Sequence, residues 1–216
     1  MRSVMPLLLD WQQYLPFRHH APREVHDTLR LANGTPVMLR ASRPDDAERI
    51  QEFVHGLSVK SRYQRFFSPI HELAPEMLAR FIRNDAHEAM TLLALVQGDG
   101  GEIVIAMGQY VCDPFPDRCD FAVVVGDNWQ RSGLGRKMTK ALMCIARAAG
   151  MERFEGDILA ENEPMRRLML ELGFRFGKHP DGPYLHRVSK RLRQSSEQCS
   201  PLVALASNSD RRQAHA

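Results

Sequence analysis

Apolar and polar residues alternate on both sides of Asn33-Gly34 in the run TLRLANGTPVMLR. That period of two, around a dipeptide that readily takes φ > 0, predicts two strands joined by a hairpin turn. The period then changes. In DDAERIQEFVHGL the apolar residues Ile50, Phe53, Val54 and Leu57 share one helical face, with Ser42 and Pro44 ahead as start signals and acids in the first turn. Further helices are expected in SVKSRYQRFF and PEMLARFIRN. Strands return at Met90. MTLLALV and EIVIAMGQYV flank the glycine-rich turn QGDGG, and CDFAVVVG follows DPFPD, so three adjacent antiparallel strands are the simplest connection.

The next part is the most regular. GLGRKMTKALMCIARAAG carries Leu134, Met138, Leu142, Ile145 and Ala149 at helical spacing and ends at Gly150 as a left-handed cap. RFEGDILA reads as a strand, and ENEPMRRLMLELGF as a helix with Met165, Leu168, Met169 and Leu172 on one face, closed by Gly173. PYLHRVSK is a candidate last strand. The strand–helix–strand order implies a right-handed crossover and a parallel pair inside a mixed sheet. Residues 1–27 lack a clean period and contain Pro6, Pro16 and Pro22; they read as an extended arm. Residues 28–193 form the domain, and residues 194–216 a disordered basic tail.

A chain of 216 residues with 44% hydrophobic and 25% charged content suits one soluble globular domain with tails. The opening MRSVMPLLLDWQQ is interrupted by Pro6 and Asp10, too early for a signal peptide or a membrane span. Cys112, Cys119, Cys144 and Cys199 form no C-x-x-C pair, and no histidine stands in H-E-x-x-H spacing. A reduced, metal-free, cytoplasmic protein is expected. The formal charge of +3 resides in residues 190–216, where Lys190, Arg191, Arg193, Arg211 and Arg212 outnumber Glu197 and Asp210. So sparse a run without aromatics argues against a nucleic-acid partner.

Candidate chemistry concentrates in WQRSGLGRK, directly after the apolar run FAVVV. Glycines at a helix start weaken it. What they offer is bare backbone amides at the positive end of a helix dipole, and Arg131, Arg136 and Lys137 add charge. A diphosphate is the natural guest; a glycine turn beside a solvated basic face is the plain alternative. No Walker string G-x-x-x-x-G-K-[ST] is present, and Met138 replaces the third glycine of G-x-G-x-x-G, although Glu152 or Glu155 stands where that fold needs an acid. Gln130-Arg131-Ser132-Gly133-Leu134-Gly135 fits [QR]-x-x-G-x-[GA] fully.

With that motif, the later AENEPMRRLMLELGF, and the upstream LRASRPDDAERIQEFVHGLS and SRYQRFFS, the chain resembles the GNAT superfamily of N-acetyltransferases from about Thr28 to Arg191. Within it, the chain is most similar to the GNAT domain of bacterial protein lysine acetyltransferases. The resemblance implies an α/β (α+β) fold with a mostly antiparallel twisted sheet, a parallel strand pair splayed at the cofactor site, and flanking helices. It implies acetyl-CoA as acyl donor, no metal, and an amine acceptor, with a protein lysine favoured over a small molecule. The amides and side chains of Gln130, Arg131, Ser132, Gly133, Leu134, Gly135 and Arg136 would hold the pyrophosphate. The backbone of Val123, Val124 and Val125 would meet the pantetheine arm, with Asn162 and Met165 beside it. Asn162 is equally well placed as a helix N-cap.

Two positions depart from the family pattern. The related lysine enzymes usually carry a Glu near the start of the strand before the glycine loop, and Asp120 stands there. A carboxylate base suits an amine that must first lose a proton, but Asp is shorter, and burial would have to raise its pKa. Asp127 is a second candidate, with turn formation as its expected role. Met169 replaces the tyrosine acid found in many relatives; Tyr184 is a stand-in whose simpler role is core packing. An acyl-cysteine route through Cys112 or Cys119 has no visible activating group. A non-catalytic acyl-CoA sensor is the main alternative, a nucleotide-dependent oxidoreductase a distant one, and oligomeric state is not readable.

Overall fold

A computed structural model describes residues 26–112 and 118–192. The expected tail and the run 113–117 lie outside the described residues. So does the arm, except that His26 and Asp27 already belong to the first strand. The strands are β1 (His26–Arg30), β2 (Pro36–Ala41), β3 (Ala89–Gly98), β4 (Gly101–Cys112), β5 (Arg118–Val125), β6 (Arg153–Leu159), β7 (Arg175–Lys178) and β8 (Leu185–Arg191). The helices are α1 (Ala47–Gly56), α2 (Val59–Phe66), α3 (Pro75–Phe81), α4 (Leu134–Ala148) and α5 (Glu163–Glu171). Eight strands form one sheet in the order β1-β2-β3-β4-β5-β6-β8-β7, antiparallel except for the pair β5–β6.

Helices cover both faces, which is why LLALV, residues 92–96, is continuously apolar instead of alternating. On one face Leu93, Leu95 and Val124 pack against Ile50, Phe53 and Val54 of α1 and Phe81 of α3. On the other, Leu92, Ala94 and Phe121 pack against Leu134, Met138 and Leu142 of α4 and Met169 of α5. Ser42 does not cap α1. Its hydroxyl accepts from Asn84 and donates to Phe81 O, at 2.8 and 2.5 Å. Asp46 opens the helix instead, taking the Arg43 amide at 2.7 Å and a forked pair of bonds from the buried Arg40 guanidinium. Arg40 also reaches Glu102 on β4.

The parallel pair is short. Arg118, Cys119 and Asp120 align with Arg153, Phe154 and Glu155, and there the ladder ends. Gly156 marks the last close approach: a Cβ there would stand 2.8 Å from Phe121 O. Beyond it β6 continues beside β8 while β5 continues beside β4, so the sheet opens into a notch. Strand β7 was not expected; RFGK is short and largely exposed and carries no pattern.

Candidate active site

The glycine loop closes the wide end of that notch. Arg131 (φ 61°) and Gly133 (φ 81°) are both left-handed, and Gly133 is the N-cap of α4. Ser132 turns its hydroxyl inward to Trp129 O at 2.6 Å. Leu134 N–H reaches Ser132 Oγ at 3.4 Å and Lys137 N–H reaches Gly133 O at 3.2 Å. The amides of Arg131, Ser132, Gly133, Gly135 and Arg136 meet no acceptor among the described residues. Unpaired amides at a helix N-terminus make this loop a candidate anion cradle. Gly133 is required by its backbone angle. Gly135 is not required by packing: an added Cβ would make ordinary contacts, 3.6 Å to Leu168 and 3.7 Å to Val125.

The loop is tied down from below. Asp127 accepts from the Ser58 amide, the Ser58 hydroxyl and the Ser61 hydroxyl, each at 2.8 Å. Burial alone would raise its pKa; the hydrogen bonds from Ser58 and Ser61 outweigh that and hold it below the ordinary carboxylate value. Gln130 donates to Ser61 Oγ at 3.2 Å and Val125 O at 3.3 Å. Its side chain thus positions the loop. Arg136 is ion-paired with Glu171 of α5.

Along β5, the Gly126 amide bonds Ile105 O of β4. Alternation in the antiparallel ladder then directs the Val124 backbone to β4, and those of Val123 and Val125 to the open notch. Val124 also buries its side chain under α1. Of the three valines, Val123 and Val125 face the notch, where the Val125 carbonyl already accepts from Gln130.

Asp120 stands where the notch begins. Its side chain is 35% exposed, and it accepts no hydrogen bond from any described residue. Burial raises its pKa; Arg187 pulls it back, Asp157 pushes it up again, and Arg118 and Glu155 act with smaller opposing effects. The net direction is upward, toward what a base working near neutrality needs. A 520 Å³ cavity between α1, β4 and the Gly126–Trp129 turn includes neither Asp120 nor the free amides.

A family model described as an acetyltransferase (GNAT) domain matches residues 37–175. The chain belongs to the GNAT acetyltransferase family. It is 30% identical over 161 residues to an acetyltransferase of Pseudomonas aeruginosa, covering 74% of this chain and 87% of that protein. It is 27% identical over 146 residues to the acetyltransferase Pat of Mycolicibacterium smegmatis, covering 67% of this chain and 43% of Pat. Among solved structures, the GNAT domain of S. lividans PAT superposes with a TM-score of 0.69 at 25% identity, covering 77% of this chain and 97% of that one. A Salmonella typhimurium protein solved with its cofactor acetyl-CoA shares the fold, with a TM-score of 0.59 at 19% identity over 76% of this chain and 98% of that one.

The chain is therefore a GNAT acetyltransferase, and the GNAT fold orders its remaining candidates. Asn162 caps α5, its Oδ1 accepting the Met165 amide at 3.3 Å. Met165 is half-buried against the α4 core. Met169 is fully buried and presents nothing to the notch. Tyr184 is 46% exposed, which corrects the expectation that it packs in the core. Cys112 and Cys119 are free, with sulfurs 3.1 Å apart; that contact and burial push the Cys119 thiol far above its ordinary value, so neither sequence nor geometry activates it. No His, Cys, Asp and Glu group among the described residues is placed to hold a metal, and none of their helices is long and apolar enough to cross a membrane. Sequence reasoning missed Glu155, Asp157, His179 and Arg187 around Asp120. The one signal was charge at alternate positions, Arg153, Glu155 and Asp157, along one strand.

Proposed function

We propose that this GNAT enzyme acetylates an amine, a protein lysine, with Asp120 as the general base. What supports the reading is the succession of unpaired amides at Arg131, Ser132, Gly133, Gly135 and Arg136, the notch-facing backbone of Val123 and amide of Val125, and an Asp120 carboxylate that accepts no hydrogen bond from any described residue. The cradle fits a diphosphate, and the strand edge fits an amide-bearing arm. Bound there, acetyl-CoA supplies a thioester carbonyl and a thiolate leaving group.

A lysine ammonium with pKa near 10.4 costs about 4–5 kcal/mol to deprotonate at neutral pH. Asp120 accepts that proton, freeing the nitrogen lone pair for the acyl carbon. The C–N bond forms as the C–S bond breaks; the second nitrogen proton is lost to the departing thiolate, giving amide and thiol, and Asp120 returns the first proton to water. A thiol of pKa near 8.5 leaves acceptably without a tyrosine acid, consistent with the burial of Met169. The lysine preference is supported by the similarity to Pat and to the PAT GNAT domain, and by the carboxylates beside Asp120, which favour a cationic acceptor.

The test is calorimetric titration with acetyl-CoA, with NADH and ATP as controls, followed by CoA release in the presence of lysine-bearing peptides. Saturable binding of acetyl-CoA alone and peptide-dependent release that Asp120→Asn abolishes are expected. Binding without release for any amine would make the domain an acyl-CoA sensor.

A further inference from the structure

Strands β6 and β8 bring charge to the face on which Asp120 stands. Glu155 lies beside Asp120 in the parallel pair, and Arg187 lies opposite Asp157 in the antiparallel one. The Arg187 guanidinium forks onto Asp157, Nε to Oδ1 at 2.5 Å and Nη2 to Oδ2 at 3.0 Å. Its remaining nitrogen, Nη1, stands 3.6 Å from Asp120 Oδ1 and 3.6 Å from Glu155 Oε2. Behind Asp157 sits His179, its side chain 1% exposed. His179 Nδ1 accepts the Asp181 amide at 3.1 Å, so the ring proton belongs on Nε2. Nε2 lies 3.3 Å from Asp157 Oδ2 and has no hydrogen-bond partner among the described residues.

We infer that Arg187 is a positioning residue for acetyl transfer: gripped by Asp157 and backed by His179, it supplies the counter-charge that holds the Asp120 carboxylate in place as proton acceptor. The inference rests on the reading of Asp120 as base. Three carboxylates crowd this face, from Asp120 on β5 and Glu155 and Asp157 on β6. Asp181 stands beyond His179, and Arg118 lies 3.9 Å from Glu155. Without Arg187, the like charges of Glu155 and Asp157 would act unopposed by their nearest cation. The spacing matters as much as the sign. At 3.6 Å, Nη1 stabilises the ionised form without occupying Asp120 as a hydrogen-bond acceptor. A forked pair such as the one on Asp157 would consume both carboxylate oxygens.

The experiment compares wild type, Arg187→Met, Arg187→Lys and Asp120→Asn by carbon-13 NMR titration of the aspartate carboxyls, with Asp120→Asn assigning the resonance. The acid limb of kcat/KM is measured in parallel with acetyl-CoA and a lysine-bearing peptide. Arg187→Met is expected to move the Asp120 midpoint and the acid limb upward by about one unit. Arg187→Lys should restore much of the shift, and acetyl-CoA affinity should stay within about twofold. An unmoved Asp120 midpoint in folded Arg187→Met, or a uniform activity loss without movement of the limb, overturns the inference. Full activity in Asp120→Asn overturns the base reading itself and is recognisable separately.

Discussion

The carboxylate of Asp127 takes both the amide and the hydroxyl of Ser58 at 2.8 Å, so the start of the glycine loop and the N-terminus of α2 are one structural unit. Ser58 in turn caps α2 by accepting the Ser61 amide at 3.2 Å. Replacing Asp127 by Ala should loosen the cradle without touching the chemistry. Acetyl-CoA affinity is expected to fall about tenfold, the scale of lost charge-assisted hydrogen bonds, with the pH dependence of transfer unchanged. Calorimetry and a pH–rate profile check this. The depressed pKa of Asp127 means that its contribution is present above the ordinary carboxylate value and is lost as pH falls through the lower folded one.

Gly135 separates fold from function. Its surroundings admit a Cβ at ordinary contact distances, and its position is helical, so Gly135→Ala should stabilise the free protein by about 0.5–1 kcal/mol. The same methyl group, added between Leu168 and Val125 beside the unpaired amides, should weaken acetyl-CoA binding. Chemical denaturation and calorimetry on one variant would show the two effects with opposite signs. Loss of stability would mean that the glycine serves the fold.

Asp120→Asn is expected to lower peptide acetylation by about 10²–10⁴-fold, the range for general bases, while raising Tm. The sign follows from the raised pKa. The ionised carboxylate is less comfortable folded than unfolded, so at neutral pH a neutral amide relieves the native state. A fall in Tm would show that the charge is structurally required.

Arg40 and Asp46 test the other end of the sheet. Both are buried, at 3% and 0% exposure. Burial opposes ionisation of Asp46, but the forked bonds from Arg40 hold its pKa below the ordinary value. Removing one partner leaves the other charge buried and should cost about 3–5 kcal/mol, measured by denaturant unfolding of Asp46→Ala. The pair's contribution is intact above the ordinary aspartate pKa and disappears as pH drops through the lower folded one.

Local pattern made much of this legible. The hairpin at Asn33-Gly34, the apolar face of α4 and the β5–α4–β6 crossover all follow from periodicity and turn chemistry, since each is decided by residues close in the chain. The glycine loop was legible for the same reason. The surroundings of Asp120 were not. Asp157, His179 and Arg187 meet only through the β6–β8 register, and a register over 30 positions leaves no local trace. Ser42 shows the same limit: its residue type suits a cap, and tertiary contacts with Asn84 and Phe81 O claimed it instead.

Only three aligned positions join β5 to β6, and the neighbouring strand edges are left with hydrogen-bonding capacity to spare. The native protein is in that sense an incomplete sheet, which the acyl donor would complete under the proposed reading. Occupancy should then act as a suture between the β1–β5 and β6–β8 portions. Amide exchange along Val123 and Val125 should slow on donor binding, and melting temperature should climb with donor concentration. The cell's supply of donor would set how firmly the two parts of the molecule hold together, as well as how fast it works.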